Sequence, residues 1–196
     1  VKDVISYIDH NYRTIPHRSS RGIAGFSMGG FAAINLAFHH PDVFGVLYSL
    51  APGLFDENGL SQAMATWDQT FKQAYGAAFS PNPELPYPHS EIPTLDNSAS
   101  DERIKANWEN GFGNLPQKIA DYLNSGIALK SIRIEFGEQD YYKWIINGCV
   151  YFSQLLTAQG IPHELNRFSG RHQLTNDLIE KNILPYFSQQ LERVAP

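Results

Sequence analysis

Gly25-Phe26-Ser27-Met28-Gly29-Gly30 separates a short apolar run, Gly22-Ile23-Ala24, from an alanine-rich stretch, Phe31 to Phe38. A chain passes from strand to helix over so few residues only through a tight turn, and glycines on either side remove the Cβ atoms that would collide there. The segment therefore predicts a βα unit with Ser27 at its apex. Gly-x-Ser-x-Gly between a strand and a helix is the pattern of a nucleophile elbow, whose strained backbone pushes the serine oxygen into the open. The helix that follows points its first N–H groups at any anion forming beside that oxygen. A Gly-rich turn without chemistry is the competing reading. A phosphate-binding loop fits poorly, because no Lys-Ser/Thr ending follows and no Gly-x-Gly-x-x-Gly leads to an acidic residue about 20 positions on.

The rest of the chain repeats the alternation. Val1, Val4, Ile5, Ile8 and Tyr12 recur at helix spacing on one face, and Pro16 to Ser20 is a polar connector. The helix after the elbow stops at His39-His40-Pro41, and Phe44 to Leu50 reads as a second buried strand closed by Ala51-Pro52-Gly53. Ile132 to Gly137 is a third strand, and the helix that closes at Gly160 begins near Lys143. His163 to Phe168 is a fourth strand, and Asn176 to Leu191 a last amphipathic helix with Pro185 inside it. Strands alternating with helices imply an α/β fold with a mostly parallel sheet. Periodicity weakens from about 54 to 126, where prolines and aromatics accumulate. That stretch reads as a cap-like insertion, with short helices near Ser61 to Tyr75 and Ser100 to Trp108 and a firmer one over Leu115 to Leu123. The expected organisation is one domain spanning 1–196.

Composition removes several classes of function. A formal net charge of −5 with scattered Lys and Arg gives no general attraction for nucleic acid or anionic membranes. No apolar run approaches the roughly 18 residues of a membrane helix, and no signal peptide is visible. Cys149 is the only cysteine, so no intrachain disulfide and no cysteine metal cluster can form. The chain opens on Val1 and enters a helical pattern at once, which reads as a piece of a longer protein. The compartment is unknown on these grounds.

A serine hydroxyl needs a base to take its proton and a third group to orient that base. Gly137-Glu138-Gln139-Asp140 follows the third strand directly, and Gly170-Arg171-His172 follows the fourth. Both are strand-end loops, where the sites of open α/β sheets assemble. The order Ser27, Asp140, His172 is that of α/β-hydrolases. Asp140 is the favoured orienter; its alternatives are Glu138 as a competing carboxylate two residues earlier and a role for Asp140 as a helix N-cap. His172 competes with His163, His89, His10, His17, His39 and His40, of which His39 and His40 are accounted for by the helix end they occupy. Trp108, Tyr141, Tyr142 and Trp144 are packing residues or, alternatively, an aromatic acyl pocket.

Gly-Phe-Ser-Met-Gly-Gly with its alanine-rich helix, His-Pro-Asp-x-Phe, the Ser-x-Ala-Pro strand end, Gly-Glu-Gln-Asp, and Gly-Ile-Pro-His-Glu before Gly-Arg-His together resemble the putative esterase family. That family contains esterase D (S-formylglutathione hydrolase), feruloyl esterases and the antigen 85 mycolyltransferases. The resemblance covers nearly the whole chain and implies a three-layer α/β/α sandwich of the α/β-hydrolase fold, here truncated at its N-terminus. It further implies a serine carboxylesterase, with Ser27 as nucleophile, His172 as acid/base and Asp140 as orienter, no metal or organic cofactor, and a small-molecule ester as substrate. The oxyanion hole would use the Met28 N–H, its second donor lying on an earlier loop outside this chain. An acyltransferase of the same fold is one alternative. Another is a catalytically silent fragment acting as a binding or assembly partner, its exposed sheet edge covered by a second copy or by the missing N-terminal segment.

Overall fold

In the computed structural model, which describes residues 1–193, four parallel strands lie side by side in chain order. They are β1 (Gly22–Phe26), β2 (Val46–Leu50), β3 (Ser131–Gly137) and β4 (Glu164–Phe168). Residues 194–196 of the expected domain lie outside the described residues. The order of elements is the expected one: α1 (Lys2–Asn11) precedes β1, and α2 (Met28–His39) links β1 to β2. Then come α3 (Gly59–Thr66), α4 (Gln69–Phe79), α5 (Ala99–Gly111), α6 (Leu115–Asn124) and, between β3 and β4, α7 (Lys143–Ala158). A final helical segment runs through α8 (Asn176–Leu178), one π-helical turn (Ile179–Ile183) and α9 (Leu184–Gln190).

β2 is buried at every position because helices cover both faces of the sheet. Its odd and even residues face opposite layers. Leu47 joins Ile132, Ile134 and Phe136 of β3 against α2, α6 and α7. Val46, Tyr48 and Leu50 pack on Leu178 and Tyr186 of the C-terminal segment. The result is a three-layer α/β/α sandwich. Asp68 caps α4 by accepting from the Phe71 N–H at 3.0 Å, so the single helix expected near Ser61 to Tyr75 is two. Phe55, Leu60, Met64, Tyr75, Ile104, Trp108 and Phe112 form a second apolar cluster of their own. α6 behaves differently from the rest of the 54–126 stretch: Leu115, Ile119 and Tyr122 belong to the main core, where Tyr122 stacks on Phe38 of α2.

Among the described residues, no element buries the apolar face expected of α1. None of its residues is buried, and the helix is held instead by an Arg21–Asp9 ion pair at 2.7 Å. β1 is an edge strand of the sheet.

One polar group sits deep in the layer under α9. Glu135, 3% exposed on β3, accepts hydrogen bonds from the Tyr48 hydroxyl and, at 2.7 Å, from Asn182 Nδ2 in the π-helical turn. Burial pushes its carboxyl above the ordinary value of 4.5, against a smaller downward pull from Asn182. The folded chain thus holds this proton more tightly than the unfolded one. The stability it contributes is complete below the unfolded carboxylate value and is lost as pH rises through the folded value. Glu135→Gln, uncharged throughout, is expected to flatten that decline in urea unfolding measured across pH. An unchanged decline would assign it to other groups.

Candidate active site

Ser27 lies between the last residue of β1 and the first of α2, with φ 57° and ψ −119°. A non-glycine residue holds that backbone only where its surroundings impose it. Three main-chain bonds do so here: the Ser27 N–H donates to the Leu50 carbonyl at 2.9 Å, and the Ser27 carbonyl accepts from Gly53 and Phe31, each at 3.1 Å. Gly25 permits the approach, since a Cβ there would stand 1.9 Å from the Gly29 carbonyl oxygen. Gly29 is a correction to the sequence reading, because a Cβ at that position meets nothing within 4 Å.

The loops after β3 and β4 are tied to each other. Gln139 N–H donates to the Gly170 carbonyl at 2.9 Å and Glu138 N–H to that of Phe168 at 3.0 Å. This brings Asp140 and His172 together with Ser27. His172 Nδ1 is 2.8 Å from Asp140 Oδ2, and His172 Nε2 is 2.9 Å from Ser27 Oγ. Asp140 is fully buried, and its other oxygen accepts from the Tyr142 N–H at 2.8 Å, so both carboxylate oxygens have partners. With Nδ1 opposite a carboxylate, the imidazole proton belongs on Nδ1, leaving Nε2 to accept from the serine hydroxyl. The arrangement can therefore withdraw a proton from Ser27 Oγ.

The competing residues lie elsewhere. Glu138 is exposed and makes no bond to His172. His163 is engaged by Ser153 Oγ at 2.6 Å and the Ile161 carbonyl at 2.9 Å. His39 and His89 donate Nδ1 to carbonyls of their own segments, and His17 pairs with Ser19. Met28 is the first residue of α2, so its N–H is among the donors a helix leaves free, and its side chain is exposed.

A cavity of about 190 Å³ opens beside Ser27 and His172. Tyr141 and Tyr142, just before α7, and Trp144 in its first turn line it together with Trp67, Phe71 and Tyr75. Trp108 is not among them; it is wholly buried in the α5 cluster. Trp67, Phe71 and Tyr75 escaped the sequence reading. Phe71 and Tyr75 lie one turn apart on α4, whereas Trp67 precedes that helix and its Asp68 cap in extended backbone, so no single local pattern announces the three together. Burial is the main cause that pushes the Tyr142 phenol up, as it does for Tyr75. Cys149 is buried outside this cavity, and burial raises its thiol too, which disfavours the reactive thiolate. Among the described residues, no three His, Cys, Asp or Glu side chains cluster as a metal would require. None of the helices there is long and apolar enough to cross a membrane. A more voluminous groove, about 650 Å³, lies between α1 and α9 and shares no residue with the Ser27 cavity.

A family model described as putative esterase matches residues 1–112. No curated protein sequence matches the chain. Among solved structures, the chain is similar to an S-formylglutathione hydrolase from Staphylococcus aureus, with a TM-score of 0.63 at 16% identity over 97% of this chain and 62% of that one. A ferulic acid esterase gives 0.55 at 23% identity, over 95% of this chain and 58% of that one. An S-formylglutathione hydrolase from Agrobacterium tumefaciens gives 0.57 at 16% identity, over 98% and 56%. At these identities the likeness establishes the fold, that of the α/β-hydrolases. The chain spans between 56% and 62% of the length of these three structures.

Proposed function

The chain belongs to the putative esterase family, and from that premise we propose that it is a serine carboxylesterase working through Ser27, His172 and Asp140 by way of an acyl-enzyme. The observation that carries this reading is the unbroken hydrogen-bonded line from Asp140 Oδ2 through both imidazole nitrogens to Ser27 Oγ. Ser27 Oγ attacks the ester carbonyl as its proton passes to His172 Nε2, and the carbonyl π pair moves onto oxygen. Asp140 faces the imidazolium that results and holds it in place. The Met28 N–H stabilises the oxyanion. The imidazolium then gives its proton to the departing alkoxide. Water, activated by the same nitrogen, attacks the acyl-serine and releases the acid.

The aromatic lining of this cavity supports a small or planar aromatic acyl group as the preferred substrate portion. S-formylglutathione hydrolase and ferulic acid esterase are the activities named for the similar structures. The choice between such acyl groups rests with the cavity.

A fluorophosphonate probe tests the reading directly. One adduct per chain on Ser27 is expected by mass spectrometry, absent from Ser27→Ala and strongly slowed in His172→Ala. Labelling at another residue, or labelling of Ser27 indifferent to His172, would overturn the mechanism, and no labelling at all would favour the silent-fragment alternative.

A further inference from the structure

Two hydrogen bonds hold His172, one at each ring nitrogen. These bonds and the Cβ tether define the plane of the imidazole, and its two faces are left to contact with neighbouring side chains. Phe26, the residue just before Ser27, brings its ring centroid to 4.8 Å from that of His172 at an interplanar angle of 36°. Tyr142 meets the same imidazole at 5.1 Å and 89°, a T-shaped contact. With these rings around it, the His172 side chain is only 8% exposed.

We propose that Phe26 is a positioning residue for the acid/base step, one that acts through His172 rather than on substrate. The inference rests on the esterase reading above and goes beyond it. Phe26 closes β1 and is paired with Leu50 of β2, so its backbone belongs to the sheet. The side chain is only part-exposed and packs against Leu50 and the surrounding core, which restricts its rotamers. Its ring backs the imidazole at 4.8 Å and limits displacement of the base from Ser27. The negative face of an aromatic ring also attracts the positive charge that His172 acquires when it takes the serine proton, an interaction strengthened where water is scarce. Phe26 therefore favours both the geometry of the transfer and its charged product. The same strand end that presents the nucleophile thereby also steadies the base.

The test compares Phe26→Leu with Phe26→Tyr in the full chain, using hydrolysis of p-nitrophenyl acetate normalised to the sites titrated by a fluorophosphonate. Phe26→Leu is expected to lower kcat about tenfold with KM within about twofold, and Phe26→Tyr, which keeps the ring, to stay within about threefold of the parent. Should the leucine chain not fold, Phe26→Met takes its place. The far-downfield His172 Nδ1 proton resonance gives a readout that needs no turnover: it is expected to persist with tyrosine and to broaden with leucine or methionine. An unchanged kcat and resonance in Phe26→Leu, or equal losses in both variants, would overturn the role. Hydrolysis that survives in Ser27→Ala would instead overturn the esterase reading, and the resonance comparison would still judge Phe26.

Discussion

Asp140→Asn is expected to lower kcat by about 10⁴-fold while leaving the fold and KM nearly unchanged. The size of the effect follows from the two partners of this carboxylate. Oδ2 faces the proton on His172 Nδ1, and Oδ1 accepts from the Tyr142 N–H at 2.8 Å. An aspartate satisfies both with acceptors. An asparagine has one acceptor and one donor group, so one side must fail. If the amide NH₂ turns toward Tyr142, two donors oppose each other in a fully buried site, which costs about 1–3 kcal/mol. If it turns toward His172, the imidazole must present Nδ1 as an acceptor and carry its proton on Nε2. That nitrogen then has no lone pair for the serine proton. The second orientation avoids the buried clash and is the one expected. The measurement is kcat and KM for an activated ester, together with the rate of fluorophosphonate labelling. Loss of labelling in step with kcat would locate the defect at proton transfer from Ser27. A variant within tenfold of the parent would remove Asp140 from the mechanism.

The legible part of this fold is the part where local chemistry and tertiary position coincide. The tight turn at Ser27 has a strand before it and a helix after it in the sequence, and the structure has both. Asp140 and His172 were readable as candidates because each follows a strand directly, and residues at the carboxyl ends of neighbouring parallel strands share one edge of the sheet. The structure has these two in contact with Ser27. Their catalytic roles are what labelling and the Asp140 variant test.

Other features have signals that local pattern cannot resolve. Phe71 and Tyr75 carry the i, i+4 spacing of any helical stripe, so nothing local distinguishes a cavity lining from core. Trp108 carries the same ambiguity with the opposite outcome, being wholly buried. The periodicity of α6 is clear, but whether it serves the insertion or the main core depends on which helices approach it. The exposed face of α1 is the converse case: amphipathic spacing announces a buried face, and among the described residues no element supplies the cover.

Gly25 and Gly29 look equivalent in the sequence, and mutation should separate them sharply. Gly25→Ala is expected to destabilise the chain by about 4 kcal/mol, at the severe end for a single substitution. The added methyl would sit 1.9 Å from the Gly29 carbonyl oxygen and 2.8 Å from the Gly30 nitrogen. Both are backbone atoms at the start of α2, so no side chain can rotate out of the way. Relief requires moving the helix off the strand. That helix also carries Ala33, Ile34, Ala37 and Phe38 into the main core, so the shift would open packing well beyond the turn. Gly29→Ala meets open space, and its position inside α2 favours alanine over glycine by about 0.5–1 kcal/mol. Urea unfolding of the two variants should therefore move the midpoint in opposite directions. If the pair shifted alike, the close approach of strand and helix at Gly25 would not be the constraint that holds Ser27 at positive φ.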